Sequence, residues 1–238
     1  MEPISVFDML KVGVGPSSSH TLGPWRAAQR FCQELEQGQQ LAKTAKVDAH
    51  LYGSLALTGK GHGTDIAVLL GLSGQDPETI PIPEVTALPK EIEALHLLQL
   101  GGKHQIHFAP DAHLLFHYSE RLPGHANGMI LQAYGEEGSL LHEGTYYSVG
   151  GGFVVKEGEE AGKDWVRLPH PISSAKALSQ YCQLHEQSIW EVVLENERAW
   201  RKDDETRAGL LQVWRVMKHC IYRGCHTEGT LPGGLDVT

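Results

Sequence analysis

Apolar and polar residues alternate in several short stretches of the first two thirds of the chain. Val47, Ala49 and Leu51 alternate with polar neighbours, and a period of two is typical of a strand that buries one face. Stretches of this kind predict strands at Lys46–Leu51, His104–Phe108, His113–Tyr118, Gly128–Tyr134 and Ser139–Ser148. This part of the chain is therefore predicted to form a sheet.

A helical period appears between these strands. Ala28, Phe31 and Leu35 share one face of a helix predicted over Trp25–Gln37, which a glycine ends. A second helix, Asp65–Leu72, follows the glycine-rich segment GKGHGT. Strands mixed with helices in this way predict an α+β domain with a largely antiparallel sheet.

The pattern becomes helical beyond KEGEEAGK, a polar segment at Lys156–Lys163 that is typical of a linker. Three helices are predicted there. Ser173 or Ser174 caps the first, which runs through Tyr181, and the second has Trp190, Val193 and Glu197 on one face. The third helix stops at Gly224 and has one apolar face, formed by Leu210, Trp214, Met217 and Ile221. These helices are too few to close a core of their own. We therefore predict a domain at residues 1–157, a linker at 158–172 and an incomplete all-helical segment at 173–238.

The composition is that of an acidic globular protein. Of the 238 residues, 41% are hydrophobic and 21% are charged, so the chain can bury a core and suits one large domain or two smaller ones. Its formal net charge of −9 repels phosphate groups, so neither nucleic acid nor a membrane is expected as a partner. No signal peptide and no run approaching ~20 apolar residues is visible, so we expect a cytoplasmic protein.

The cysteines predict no disulfide framework. Cys32, Cys182, Cys220 and Cys225 are too few and too scattered for one. The spacing of Cys220 and Cys225 matches no common zinc motif. We expect reduced thiols and no metal bound by this pair.

A loop rich in small polar side chains precedes the first predicted helix. Its sequence, GVGPSSSHT at Gly13–Thr21, is followed by Pro24, which suits a first helical turn because its missing N–H has no partner there. The free N–H groups of such a turn attract an anion, so the loop is predicted to bind a substrate carboxylate. The candidate groups are Ser17, Ser18, Ser19, His20 and Thr21. The alternative is a loop of ordinary helix-capping serines.

A second glycine-rich stretch, YGSLALTGKGHGTD, ends at Asp65. Its spacing differs from that of a phosphate-binding P-loop, because a glycine stands where serine or threonine should follow the lysine. The loop displays Lys60, His62 and Asp65, and the carboxylate is close enough in sequence to orient the imidazole. The alternative is that Thr64 or Asp65 caps the next helix and that His62 is solvated. Because both loops precede helices and collect small polar groups with a histidine, we expect the Ser17–Thr21 and Lys60–Asp65 loops to lie close together around one pocket.

Three further patterns are less specific. Three successive glycines in TYYSVGGGF, at Thr145–Phe153, let a backbone approach a ligand or another chain, although a bulged hairpin uses glycines too. The stretch TEGTLPGGLDV, which ends at Val237, is by itself a loop with turn residues. A strand-like spacing in a hairpin predicts a solvated strand face, rather than a metal site, for His104, His107, His113 and His117.

Together, SVFDMLKVGVGPSSSHTLGPWRAA, YGSLALTGKGHGTDIAVLLGL, TYYSVGGGF and EGTLPGG resemble successive signatures of the bacterial iron–sulfur L-serine dehydratases. The resemblance spans essentially the whole chain, in the order of that family. It implies an N-terminal β domain, similar to the allosteric substrate-binding domain of phosphoglycerate dehydrogenases, and then a helical α domain. It also implies an L-serine ammonia-lyase that forms pyruvate and ammonia by α,β-elimination, with a 4Fe–4S cluster and no pyridoxal phosphate.

The resemblance also implies a site. The Ser17–Thr21 loop, Lys60 and Asp65 would bind serine, and His62 or His20 would transfer a proton, because an imidazole titrates near neutral pH. The cluster cysteines of the family lie beyond the end of this chain, so we expect a fragment that holds no metal or cluster and is inactive alone. The implied partners are L-serine and the remainder of the α domain or a separate α chain, and a homo-oligomer is allowed.

Three alternatives remain open. The chain could be a serine-binding or interaction domain without catalysis, which shares every motif with the enzyme and differs in the missing cluster. It could be a mononuclear metallohydrolase that uses His20, His62 and Asp65, which predicts stoichiometric metal in the purified protein. A pyridoxal-phosphate lyase with Lys60 as the Schiff-base lysine is the least favoured.

Overall fold

A computed structural model describes residues 3–159 and 166–230 of the protein. The described residues form two compact units, one of residues 13–159 and one of residues 3–12 with 166–230. The helices are α1 Val6–Met9, α2 Gly23–Gln37, α3 Ser54–Thr58, α4 Thr64–Leu72, α5 Ile82–Leu95, α6 Pro110–His113, α7 Ala175–His185, α8 Ile189–Glu197 and α9 Asp203–His226. The strands are β1 Lys46–Tyr52, β2 Leu97–Leu100, β3 His104–His107, β4 Leu114–His117, β5 Gly128–Tyr134, β6 Leu140–Gly150 and β7 Phe153–Lys156.

A five-stranded sheet organises the larger unit. Its strand order is β4-β1-β5-β6-β7; β1 and β4 are parallel and the other neighbours are antiparallel. The strands β2 and β3 form a separate antiparallel pair. The α+β class with a largely antiparallel sheet is thus confirmed.

The helices α2 and α4 contribute to a core on one face of this sheet. Phe31 and Leu35 of α2 are fully buried and belong to one apolar cluster with Val47, Ala49 and Leu51 of β1, as the alternation along that strand predicts. Each large apolar side chain buried in this way contributes roughly 1.5–3 kcal/mol. The core therefore holds α2 and α4 in place, and the loops before these two helices carry the polar motifs.

The long histidine-containing segment folds differently from the prediction. His113 ends α6, so the predicted strand His113–Tyr118 is shortened to Leu114–His117. His104 and His107 lie in β3, which pairs with β2, whereas β4 pairs in parallel with β1. The predicted hairpin is therefore wrong, because the two strands belong to different sheets.

The smaller unit contains the predicted helices. Ser174 caps α7 by accepting a hydrogen bond from the N–H of Ala177. The helix α9 continues past Gly224 to His226, so the predicted stop at that glycine is wrong; a glycine inside a helix costs only about 1 kcal/mol. In the described parts of the chain, no helix combines the length and the apolar character needed to cross a membrane.

The first residues of the described chain belong to the smaller unit. The Ser5 hydroxyl and the N–H of Val6 each donate to the Glu197 carboxylate at 2.8 Å, and Arg201 donates to the Ser5 hydroxyl at 2.7 Å. This buried polar cluster ties residues 3–12 to α8. The predicted division at residues 1–157, 158–172 and 173–238 stays a prediction.

A charged cluster joins α2 to the far end of the sheet. One carboxylate oxygen of Glu34 accepts hydrogen bonds from Tyr146 at 2.6 Å, His142 at 2.9 Å and Lys156 at 2.7 Å, and Arg30 donates to the other at 3.1 Å. Burial alone raises the pKa of Glu34, but the hydrogen bonds from Lys156, Tyr146 and His142 outweigh burial and hold the pKa at about 2. Glu34 therefore stabilises the folded chain as a carboxylate.

Replacing Glu34 with glutamine is expected to lower the free energy of unfolding by about 2 kcal/mol at pH 7. This is less than the stabilisation that the whole shift in pKa would give, because the carboxylate is partly open to water. Since the folded pKa lies below the ordinary 4.5, the contribution is present above pH 4.5 and is lost as the pH falls toward 2. Urea unfolding at pH 7 and pH 3 should show a difference between Glu34→Gln and the unmodified chain that shrinks at the lower pH.

The matched control for this experiment is Glu36→Gln on the same helix. Glu36 forms an exposed ion pair with Lys103, and such pairs contribute about 0–1 kcal/mol. The stabilising role of the cluster would be contradicted if Glu34→Gln lowered the free energy of unfolding by the same amount as Glu36→Gln, or by the same amount at both pH values.

Candidate functional site

The serine-rich loop forms a single wide helical turn. Residues Ser18–Leu22 are π-helical and lead directly into α2, with Pro24 in its first turn. Gly23 packs against β6 so closely that a Cβ atom there would lie 1.9 Å from the Ser148 hydroxyl. Only glycine permits this approach, so the sheet fixes the position of the loop.

The second loop is a short 3₁₀ turn, Lys60–His62, before α4. Gly63 has a φ of +66° at the junction, a conformation that favours glycine. The expectation that Thr64 or Asp65 caps α4 is wrong, because Gly63 is the capping residue and no side chain caps the helix. The Asp65 carboxylate instead accepts from the neighbouring N–H of Ile66 at 2.9 Å.

The two loops are joined by a reciprocal pair of threonine hydrogen bonds. The Thr21 hydroxyl donates to the carbonyl of His62 at 2.8 Å, and the Thr64 hydroxyl donates to the carbonyl of His20 at 2.6 Å. Both threonines are buried. The imidazole rings of His20 and His62 lie 5.1 Å apart between their centres. The predicted proximity of the two loops is confirmed, and Thr21 serves to hold them together.

Two serine hydroxyls flank the imidazole of His20. The Ser19 hydroxyl lies 2.8 Å from Nδ1 and the Ser54 hydroxyl lies 2.9 Å from Nε2. Burial, followed by the neighbouring His62, lowers the pKa of His20, so a neutral ring is favoured. Ser54 begins α3 inside the second motif, and its only signal in the sequence was its place in that motif.

His62 presents a different arrangement. Its Nδ1 atom lies 2.9 Å from the carbonyl oxygen of Thr58, and a carbonyl can only accept a hydrogen bond. Nδ1 therefore carries the proton of the neutral ring, and Nε2 keeps the lone pair. The ring is partly exposed, so Nε2 can accept a proton from a ligand. The Thr58 carbonyl, rather than the expected Asp65 carboxylate, orients the imidazole.

The structure does not bring Lys60 and Asp65 to the histidine pair. Both line a cavity of about 490 Å³ beside α5 and β4. The ammonium of Lys60 lies 5.3 Å from the centre of the Phe116 ring. Because Asp65 faces this cavity, the three metal ligands of the metallohydrolase alternative do not converge.

The remaining loop serines differ in their contacts. Ser17 accepts a hydrogen bond from the N–H of His20 at 3.2 Å, which shapes the turn, and Ser18 is exposed. The glycines of the third motif, Gly150, Gly151 and Gly152, have φ of +97°, +59° and +76° and form the irregular turn between β6 and β7, as the hairpin interpretation predicts. The fourth motif is described only as far as residue 230.

The cysteines of the described chain do not fit an iron–sulfur cluster, which requires several converging thiolates. Burial raises the pKa of the Cys32 thiol to about 12, so it is not a thiolate. Cys182 lies in α7, while Cys220 and Cys225 point roughly 140° apart around α9, as five helical residues require. Within residues 3–159 and 166–230, no group of three or more histidine, cysteine or acidic side chains is arranged to hold a metal ion.

Known proteins match this chain along nearly all of its length. The sequence model of the family described as "Serine dehydratase beta chain" matches residues 5–159. The L-serine dehydratase of Streptomyces coelicolor is 47% identical over 98% of this chain and 52% of its own length. L-serine dehydratase 1 of Escherichia coli and the L-serine dehydratase of Haemophilus influenzae are 42% and 40% identical, with the same coverage. The chain thus spans about half the length of the curated relatives that it matches.

Proposed function

We infer the function of this chain from its family: the chain belongs to the serine dehydratase β-chain family. We propose that it supplies the substrate-binding and proton-accepting residues of an L-serine ammonia-lyase, which converts L-serine into pyruvate and ammonia. The observation that carries this proposal is the histidine pair, with the Nε2 lone pair of His62 open beside the hydroxyl-flanked ring of His20.

The hydroxyls around His20 suit a carboxylate. A neutral imidazole donates from one nitrogen and accepts at the other. One of the two flanking hydroxyls, of Ser19 or Ser54, therefore accepts a hydrogen bond from the ring N–H and keeps its own O–H free to donate to a ligand. A carboxylate oxygen is the natural acceptor for that proton. We propose that Ser54 is this hydroxyl and that it holds the carboxylate of serine together with the exposed Ser18, while the Ser19 hydroxyl donates to Nδ1 of His20.

His62 is the better candidate for the base that removes the Cα proton. Both ring nitrogens of His20 already contact hydroxyls, whereas Nε2 of His62 has its lone pair available. The bond from Nδ1–H to the Thr58 carbonyl also strengthens when the ring becomes positively charged. Ser17, Thr21 and Thr64 shape the two loops, and we assign them a positioning role.

We propose that the full enzyme contains parts beyond the residues described. The resemblance implies a 4Fe–4S cluster. Because the described cysteines do not fit such a cluster, we assign this chain no step of the reaction that uses the cluster. The partner that completes the site would be the remainder of the α domain or a separate α chain. We propose a cytoplasmic enzyme, and its net charge of −9 argues against nucleic acid or an anionic membrane as a partner.

Calorimetric titration of the untagged chain with L-serine tests the binding half of the proposal. We expect saturable binding that Ser54→Ala weakens about tenfold, because a carboxylate hydrogen bond contributes about 1.5–3 kcal/mol and the variant retains Ser18. Ser179→Ala, which removes an exposed hydroxyl from α7, is the matched control. Absence of saturable binding, or equal affinities for both variants, would refute the proposed carboxylate site.

A further inference from the structure

Residues 118–127, which connect β4 to β5, contact the start of α3 through their backbone. The N–H of Ser54 donates to the carbonyl of Ala126 at 2.9 Å. A Cβ atom on Gly53 would lie 2.3 Å from that carbonyl oxygen, so only glycine permits this approach. Because no side chain of the described residues caps α3, the Ala126 carbonyl satisfies an N–H group that has no partner within the helix. This contact fixes the position of Ser54.

The peptide unit between Ala126 and Asn127 is held from its other side by the half-buried ring of His125. The N–H of Asn127 donates to Nδ1 of His125 at 3.1 Å. The C=O and N–H groups of a trans peptide point in opposite directions, so the contact with Ser54 on one side and the contact with the ring on the other fix the plane of this unit. A backbone N–H can only donate, so Nδ1 of His125 keeps its lone pair.

The same segment also contacts the strand that supports the serine-rich loop. The side chain of Asn127 donates from Nδ2 to the carbonyl of Ser148 at 3.1 Å, and its carbonyl accepts from the N–H of Ser148 at 2.9 Å. Both residues are buried. Ser148 packs against Gly23, which directly follows the turn that carries His20. The segment is thus anchored beside both partners of the 2.9 Å contact between the Ser54 hydroxyl and Nε2 of His20.

We propose that His125 is a positioning residue of the carboxylate site, which acts through the Ala126 carbonyl to keep the Ser54 hydroxyl against the ring of His20. The role rests on the proposed function, in which this hydroxyl accepts a hydrogen bond from His20 and donates its own O–H to the carboxylate of serine. The direction of that O–H depends on where α3 begins, because the ring N–H has to meet a lone pair of the hydroxyl. A peptide unit that rotates after losing its contact with His125 moves Ser54 and turns the O–H away from the carboxylate.

Replacing His125 with leucine or with asparagine separates this role from a general effect on the fold. Leucine accepts no hydrogen bond, so the N–H of Asn127 loses its partner in His125→Leu. The side-chain oxygen of asparagine can accept from the N–H two residues further along the chain, so His125→Asn keeps the contact. The matched control is His113→Leu, because Nδ1 of His113 accepts from the N–H of Ala109 at the same distance of 3.1 Å, apart from the contacts of the site. His125→Ala, which also removes the acceptor, replaces the leucine variant if circular dichroism shows that the latter is unfolded.

Hydrogen exchange at the Ser54 amide, measured by nuclear magnetic resonance, tests the placement without any ligand. The loss of one neutral hydrogen bond shifts a local opening equilibrium by roughly fivefold, so the Ser54 N–H should exchange roughly fivefold faster in His125→Leu. The rate should stay unchanged in His125→Asn and in His113→Leu. An unchanged rate in His125→Leu, or the same acceleration in His113→Leu, would overturn the positioning role whether or not the chain binds L-serine.

Calorimetric titration with L-serine then tests the effect of this placement on the site. The affinity should fall by roughly fivefold in His125→Leu, and His125→Asn and His113→Leu should bind like the unmodified chain. Faster exchange at Ser54 with unchanged affinity would show that the carboxylate does not depend on the placement, and it would overturn the role of His125. Absence of L-serine binding in the unmodified chain would refute the carboxylate site itself, while the exchange rates at Ser54 would still decide whether His125 holds that residue in place.

Discussion

Replacing His62 with glutamine is expected to lower the turnover number for L-serine by roughly 10²–10⁴-fold, the usual contribution of a positioned general base. Glutamine can keep the hydrogen bond to the Thr58 carbonyl through its amide N–H, but it cannot accept the Cα proton. The variant therefore tests proton transfer while the shape of the loop is kept. Its binding of L-serine, measured by titration, should stay close to that of the unmodified chain.

The assay requires an assembled enzyme. The chain would be fused to the part of the Streptomyces relative that it does not match, reconstituted anaerobically with iron and sulfide, and tested for pyruvate formation. His107→Gln, on the exposed face of β3, is the matched control and should retain full turnover. His20→Gln should raise KM more than it lowers kcat, because the proposed role of His20 is to arrange the hydroxyls that hold the carboxylate.

The opposite pattern would contradict these assignments. Full turnover in His62→Gln together with a collapse of kcat in His20→Gln would show that the base is His20. The distinction rests on hydrogen bonds, since both ring nitrogens of His20 contact serine hydroxyls and one nitrogen of His62 does not.

Elements with a regular apolar period were predictable from the sequence. The strand β5 matches its prediction at both ends, and β1 extends one residue beyond its own. The helix α2 begins two residues before the predicted Trp25. In each case, one face of the element packs into the core, so the pattern in the sequence reflects burial directly.

Elements shaped by distant partners were not predictable in the same way. The strand β4 pairs in parallel with β1, across 61 intervening residues between Tyr52 and Leu114, and no local signal specifies that partner. The helix α5 contains Pro89, which ordinarily argues against a helix interior. The four-residue strand β2 is too short to show a reliable period.

The candidate site shows the same division between local and distant information. Small polar groups with a histidine in both loops were enough to predict that the loops meet, which the threonine bonds confirm. The choice of base was beyond sequence reasoning, because it depends on which ring nitrogen contacts the Thr58 carbonyl. The role of Ser54 could not be predicted from the sequence either, since the two residues in its contact with His20 are 34 positions apart.

The isolated chain is expected to form negligible pyruvate from L-serine, even after anaerobic treatment with iron and sulfide. A general base contributes typically 10²–10⁴-fold, whereas enzymes accelerate reactions by 10⁶-fold or more. The proposed base His62 would accept the Cα proton, but hydroxide is a poor leaving group, and no role in its departure follows from the contacts of the described residues. The buried thiol of Cys32 and the divergent pair on α9 also predict that no stoichiometric cluster absorbance develops.

This chain should therefore bind L-serine without converting it into pyruvate. L-serine should bind with the Ser54 dependence described above, while pyruvate, detected with lactate dehydrogenase and NADH, should stay at the level of a protein-free control. The fused enzyme, treated in parallel, provides the positive control and should form pyruvate at a rate that depends on His62. Sustained pyruvate formation by the isolated chain, with cluster absorbance that Cys220→Ser or Cys225→Ser removes, would show that its own cysteines assemble a working site, contrary to their placement on α9.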